Sequence, residues 1–140
     1  MVMLSASTSS TPPVADTEYR PGVCNIGPAE IARRRQAGHI GLAATVALLA
    51  VLVAIDAPPV ARLSVALPAA AAASGYLQAR FRFCAGFGSR GLFNFGPLGQ
   101  ELMVEDPDAR ARDRARARQI GLLSLAIGLA ASIVAAVLPV

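Results

Sequence analysis

Three long apolar stretches dominate the pattern of hydrophobic and polar positions along the chain. They cover residues 37–55, 59–77 and 120–140, and charged residues are almost excluded from them. Apolar residues are continuous within each stretch and do not follow a strand or amphipathic-helix period. About 20 such residues in a helix, rising about 1.5 Å each, cross the roughly 30 Å hydrocarbon core of a bilayer. The pattern predicts an all-α fold: a small helical membrane protein with three transmembrane helices.

The middle stretch is the least regular of the three. Arg62 and Pro68 interrupt it, and five consecutive alanines at positions 69–73 lower its hydrophobicity. Arg62 lies close to one end, where a long side chain can extend to the lipid headgroups. The preceding Asp-Ala-Pro-Pro sequence at 56–59 predicts a very tight turn. The pattern leaves open whether this stretch crosses the membrane fully or dips back.

The arginines predict an orientation. Three of them, at positions 33–35, precede the first stretch, and eight more lie between the second and third stretches. These two segments are on the same side of a membrane that is crossed three times, and the positive-inside rule places them in the cytoplasm. We therefore predict a multi-pass protein of the plasma (inner) membrane, with its N-terminus in the cytoplasm and its C-terminus outside.

The composition indicates a source for the protein and a partner for its basic surface. All 13 basic residues are arginine, which together with the high alanine content suggests a GC-rich coding sequence and so a bacterium. The net charge of +4 is explained by the positive-inside bias and by attraction to anionic lipid headgroups at the cytoplasmic face. We therefore predict the lipid bilayer as a partner and no nucleic-acid partner.

The segments before the first stretch differ in character. Residues 1–22 are rich in Ser, Thr and Pro, and we expect them to form a disordered tail. Residues 23–36 are expected to form a juxtamembrane helix. Pro28 would occupy its first position, and Glu30 would lie in the first turn, where a negative charge favours the helix dipole.

The central segment, residues 78–119, is predicted to be an aromatic and Gly-rich cytoplasmic loop followed by an arginine-rich helix. Asp106 is a good N-cap, Pro107 suits the first helical position and Asp108 complements the dipole. We therefore predict a helix that runs without a break from Pro107 through the third apolar stretch.

All five phenylalanines of the chain fall within residues 81–95, interleaved with glycine and arginine. This mixture is typical of a segment at the membrane surface, and a shallow re-entrant element or a docking surface is the sharper alternative. The glycines of 86–91 formally satisfy GxGxxG, but no strand precedes them, so we reject a dinucleotide site. The candidate lipid or partner contacts are Phe81, Phe83, Phe87, Phe93, Phe95, Arg110, Arg112, Arg114, Arg116 and Arg118.

Two cysteines, Cys24 and Cys84, would both lie near the cytoplasmic membrane surface. They suggest a redox pair, or a metal site completed by His39. Against this, the cytoplasm is reducing and two thiols with one imidazole fall short of a closed zinc site. We therefore predict no metal and no cofactor.

Small residues recur at four-residue spacing in the third stretch, at Ser124, Gly128 and Ser132. Such a face lets helices approach closely. It predicts packing among the three helices themselves or association with another membrane protein.

Three short blocks carry a resemblance: residues 24–33 (CNIGPAEIAR), 83–88 (FCAGFG) and 91–96 (GLFNFG). The chain, over roughly residues 24–138, resembles small multi-span bacterial membrane proteins of uncharacterised function. The resemblance implies no activity and no catalytic residues. It implies that Cys24 and the aromatic loop belong to one module.

Two functional hypotheses follow. The first is a non-enzymatic accessory or scaffold subunit of a membrane complex, with a membrane-protein partner or a second copy of the chain. The second is a membrane-bound thiol-redox or metal-binding protein that uses Cys24 and Cys84. No catalytic residues are predicted under the first hypothesis.

Overall fold

The computed structural model describes residues 18–140, and most of them are helical. The predicted disordered tail therefore lies largely outside the described residues. In chain order the elements are α1 (Pro28–Ala54), α2 (Pro59–Arg62), a 3₁₀ turn (Leu63–Val65), α3 (Ala66–Phe81), α4 (Ala85–Arg90), β1 (Leu92–Phe93), β2 (Leu102–Met103) and α5 (Pro107–Val137).

Three helical segments are long and apolar enough to cross a membrane: Pro28–Ala54, Pro59–Phe81 and Pro107–Val137. The middle segment joins α2, the 3₁₀ turn and α3. Pro68 explains why a 3₁₀ turn precedes α3. Proline has no N–H to donate to the carbonyl of Ser64, four residues earlier, and its ring crowds that carbonyl. The all-α class and the three apolar helices are thus confirmed.

The helix starts follow the local sequence signals. Gly27 is the extended N-cap of α1, Pro28 follows at the first position and Glu30 lies in the first turn. The Asp106 carboxylate accepts a hydrogen bond from the N–H of Asp108 at 3.0 Å, and α5 then continues unbroken to Val137. The predicted uninterrupted helix from Pro107 is confirmed.

Small residues bring the three long helices together. A methyl group added to Gly75 of α3 would lie 2.5 Å from the Gly38 nitrogen of α1. One added to Gly128 of α5 would lie 2.7 Å from the Ala66 carbonyl oxygen of α3, and Ser124 and Ser132 are buried on the same face of α5. The backbones therefore approach too closely for larger side chains at these positions.

Large aliphatic side chains point outward instead. Leu67, Leu122, Leu129 and Val137 are among many that are exposed along the helices. A soluble domain would bury such residues, whereas a lipid environment covers them at no cost. The exposed apolar surface therefore agrees with the length and hydropathy of these helices, which suffice to cross a membrane.

The side chain of Arg62 does not extend outward, because the residue is only 4% exposed. The guanidinium donates hydrogen bonds to the backbone oxygens of Ala57 (3.1 Å), Leu138 (3.0 Å) and Val140 (2.6 Å). Carbonyls beyond the end of α5 have no intrahelical partners, and the planar fork of donors satisfies them. Arg62 therefore does not extend to the headgroups, although its position near one end of the stretch would allow this.

The other end of the helices carries a folded unit, which we call the head: residues 18–27 and 82–106. Its two segments are joined by backbone hydrogen bonds from Asn25 N to Arg82 O (3.2 Å), Asn94 N to Asn25 O (2.9 Å) and Gly27 N to Asn94 O (2.9 Å). Strands β1 and β2 pair antiparallel beside this junction. The head therefore ties the N-terminal segment to the loop between α3 and α5.

Candidate functional site

Asn25 lies at the centre of the head. Its side-chain carbonyl accepts from the N–H of Cys84 at 2.7 Å, and its amide donates to the carbonyl of Cys84 at 3.1 Å. Both residues are buried, so this reciprocal pair satisfies backbone groups that water cannot reach. The side chain of Asn25 thus connects two segments that are 59 positions apart.

The two cysteines lie close to this junction. Cys24 precedes Asn25, and Cys84 is the hydrogen-bond partner of Asn25. The two cysteines are not joined in a disulfide, and both are only 2% exposed. His39 lies instead on α1, where its Nδ1 is 2.7 Å from the hydroxyl of Tyr76. Within residues 18–140, no three His, Cys, Asp or Glu side chains are grouped closely enough to hold a metal ion.

Two of the five phenylalanines form the core of the head. Phe83 is fully buried against Ala117 and Ile120 of α5. Phe87 is buried with Ile26 and Cys84. The expectation that these two rings contact lipid or a partner was wrong, because the head folds around them and has an interior of its own.

The other three phenylalanines are partly exposed. Phe93 stacks on Tyr19 with ring centroids 4.9 Å apart, and it also contacts Phe95. Phe81 lies under the guanidinium of Arg116, 4.3 Å from the ring centroid. These rings remain candidates for outside contacts, although each already has a partner within the chain.

The glycine-rich stretch is a short helix, α4, and Gly91 ends it in the left-handed conformation (φ 70°). A methyl group on Gly88 would lie 2.6 Å from the Phe83 ring and 3.0 Å from the Asp113 carbonyl oxygen. Gly88 therefore allows close packing of α4 on α5, a role that the sequence analysis did not assign to it.

The α5 arginines divide into two groups. Arg112, Arg114 and Arg118 are exposed and available to lipid headgroups. Arg110 and Arg116 are half-buried: Arg110 donates to the carbonyl of Val104, and Arg116 donates to the Gln119 side chain at 2.7 Å. Arg110 thus holds the head against α5, whereas Arg116 contacts Gln119 of α5 and Phe81 of α3.

An acidic residue that sequence reasoning missed lies among these arginines. Asp113 is fully buried and accepts hydrogen bonds from the Tyr19 hydroxyl and the Gly22 N–H, both at 2.7 Å. Burial, followed by the hydrogen bond to Asp113, raises the pKa of Tyr19 above its ordinary value. The sequence did contain a signal that Asp113 is buried. Asp113 lies between Ala109 and Ala117 at four-residue spacing, the same spacing as the small residues farther along α5, and all three are buried.

Glu30 is a second buried carboxylate. One of its oxygens lies 3.4 Å from the Arg34 guanidinium, whose carbon is 5.9 Å from the centroid of the Phe87 ring. The other oxygen has no hydrogen-bond partner. The first turn of α1, whose dipole favours negative charge, compensates part of the cost of burying this group.

A groove of about 500 Å³ runs between the start of α1 and the end of α3. Its lining combines basic and apolar side chains: Pro28, Ile31, Ala32, Arg35, Ala79, Arg80 and Arg82. The sequence placed these arginines in two separate flanks, and the pairing of α1 with α3 brings them together.

The hairpin formed by β1, β2 and the loop between them (residues 92–103) exposes apolar side chains. Leu98, Leu102 and Met103 are 51%, 60% and 67% exposed. The exposed carboxylates Glu101 and Glu105 flank them. This acidic and apolar surface contrasts with the arginine-rich first turns of α5.

We found no match to the chain among protein-family models, curated proteins or solved structures. The resemblance to small multi-span bacterial membrane proteins therefore stays a prediction.

Proposed function

We propose that the protein is a non-enzymatic accessory or scaffold subunit of a complex in a bacterial plasma membrane. The three apolar helices anchor it, the head lies in the cytoplasm and the C-terminal end lies outside. The distribution of arginine supports this orientation. All described arginines except Arg62 belong to the head or to the helix ends beside it, as the positive-inside rule requires.

The hairpin is the observation that carries the proposal. The Val104 N–H donates to the Gly91 carbonyl at 2.8 Å, and Gly91 lies against the side chain of Arg110. Arg110 comes ten residues before Ile120, the first residue of the predicted span, which is about 15 Å of helix. The exposed apolar residues of the hairpin therefore lie too far out to be covered by the hydrocarbon core.

Charge also favours a protein over lipid at this surface. The carboxylates of Glu101 and Glu105 are repelled by anionic headgroups, whereas a basic rim on a protein attracts them. Exposed apolar side chains with a polar border are typical of protein interaction sites. The proposed partner is thus a membrane protein whose cytoplasmic surface has an apolar centre and basic surroundings.

Site-specific crosslinking tests the proposal. A photo-crosslinking amino acid at Met103 is expected to capture one membrane protein, which also co-purifies at stoichiometric level after gentle solubilisation. The same group at Ser89, which is exposed elsewhere on the head, is the control and should not capture it. Recovery of the protein alone, or equal capture from both positions, would contradict the proposal.

A matched pair of variants gives a second test. Leu98→Ser with Leu102→Ser and Met103→Ser should abolish co-purification without changing helix content, because all three side chains are exposed. Leu122→Ala with Leu125→Ala, exposed on the apolar part of α5, should leave it intact.

The thiol hypothesis has less support. Asn25 does bring the segments of Cys24 and Cys84 together, but reactive thiols need access to their reagents and both thiols are buried. Replacing both with Ser separates the hypotheses: the accessory function should survive, whereas a thiol-dependent activity should disappear.

A further inference from the structure

The groove between α1 and α3 lies beside the ends of two predicted membrane spans. Arg35 comes two residues before the predicted span that begins at Ala37, and Arg80 comes three residues after the span that ends at Leu77. At about 1.5 Å per residue, both side chains start within roughly 5 Å of the hydrocarbon boundary. Lipid phosphates occupy this depth, and the groove opens there.

The lining of the groove has two chemical halves. Ile31, Ala32 and Ala79 provide an apolar wall. Arg35, Arg80 and Arg82 provide three guanidinium groups, whose planar arrays of donors suit phosphate oxygens. The only described carboxylate in the first two turns of α1, Glu30, is buried and next to Arg34, so it does not neutralise Arg35 or Arg80.

Arg82 adds an independent observation. It ends α3 in the left-handed conformation (φ 54°), a position where glycine is the usual residue because a Cβ is disfavoured there. Its carbonyl accepts from the N–H of Asn25 at 3.2 Å, which holds the backbone in place. The backbone at this corner of the groove is therefore fixed, and the Arg82 side chain lines the groove.

We propose that this groove binds one anionic phospholipid of the surrounding leaflet. The three guanidinium groups contact its phosphate, and the apolar wall contacts the glycerol and the first methylenes of its chains. A free phosphate would use only the basic half of the groove. The groove and the hairpin consist of different residues, so the lipid proposal can be tested independently of the proposed partner.

Native mass spectrometry of the full chain in neutral detergent tests the site. The probes are phosphatidylglycerol and, as the uncharged comparison, phosphatidylcholine. One phosphatidylglycerol per chain should be retained, in preference to phosphatidylcholine. Arg35→Gln with Arg80→Gln should lower this occupancy roughly tenfold or more, since two charges that contact the phosphate are lost.

The control is Arg114→Gln with Arg118→Gln, which removes the same charge from exposed positions on α5. This pair should retain the lipid. Both pairs change exposed residues only, and circular dichroism should show unchanged helix content. Equal losses from the two pairs would mean diffuse attraction to the basic surface and would overturn the proposal.

Two further outcomes would also overturn it. Unchanged occupancy in the groove variant would show that the arginines do not hold the lipid. Displacement of the lipid by an equimolar amount of inorganic phosphate would show that the apolar wall adds no affinity and that the site recognises a free anion rather than a phospholipid.

Discussion

The hydroxyl of Tyr19 donates a 2.7 Å hydrogen bond to Asp113, a residue 94 positions later in the chain. The second oxygen of the same carboxylate accepts from the backbone N–H of Gly22, also at 2.7 Å. One buried acid on α5 therefore fixes the N-terminal segment of the head in two places. Hydrogen bonds to an ionised group are among the stronger ones in proteins, so this contact should determine whether the segment stays folded.

Asp113→Asn should release the N-terminal segment. The variant loses two charge-assisted hydrogen bonds, and we expect a cost of about 1–3 kcal/mol. Chymotrypsin cleavage after Tyr19 should become faster, and the rate in detergent measures this. Glu101→Gln, an exposed change of the same kind, should leave the rate unchanged, and equal rates in the two variants would show that the contact is unimportant.

The same contact predicts a dependence on alkaline pH. The pKa of Tyr19 is raised by burial and then by Asp113, so the folded state keeps this proton to a higher pH than the unfolded state, where tyrosine ionises near pH 10. The stabilisation is complete below about pH 10 and is lost as the pH rises above it. Thermal unfolding of the wild type should therefore approach that of Tyr19→Phe as the pH rises past 10, and parallel curves would contradict the prediction.

Gly75 offers a test of how the long helices pack. An added methyl group would meet the Gly38 nitrogen at 2.5 Å and the Arg34 carbonyl oxygen at 2.8 Å, and backbone atoms cannot move aside easily. Gly75→Ala should therefore separate α1 from α3 and lower the stability by about 1–3 kcal/mol. Thermal denaturation in detergent measures the change.

The control for Gly75 is Gly121→Ala. Apart from its chain neighbours and the adjacent backbone of its own helix, no heavy atom of residues 18–140 lies within 4 Å of the position of its added methyl group. Alanine is the better helix former, so the stability should be unchanged or slightly higher. If the two alanine variants lost the same stability, close packing at Gly75 would not be the cause.

The parts of the fold that sequence analysis predicted depend on local signals. Pro28 and Pro107 mark helix starts, and Asp106 lies where an N-cap belongs. The apolar stretches have the length that a membrane requires. Each of these signals is contained within a few neighbouring residues, or within one helix, and so can be read without knowing the tertiary structure.

The head could not be predicted in this way because its contacts are distant in sequence. Asn25 meets Cys84 across 59 positions, and Tyr19 meets Asp113 across 94. The Phe-rich loop has the composition of a surface segment, yet Phe83 is fully buried once the N-terminal segment and α5 close around it. The groove arises in the same manner, from two arginine flanks that are joined only by the packing of α1 on α3.

Arg62, at the opposite end of the helices from the head, provides the last test. It is buried and binds three backbone oxygens, those of Ala57, Leu138 and Val140, so its role depends on the shape of the guanidinium as well as on its charge. Arg62→Lys keeps the charge but replaces the planar fork with a single ammonium group that cannot reach all three oxygens. We expect a loss of about 1–3 kcal/mol, measured by thermal denaturation in detergent. Arg33→Lys, at an exposed position, should have no effect. If Arg62→Lys were equally silent, the charge of Arg62 rather than its fork of donors would hold the end of α5.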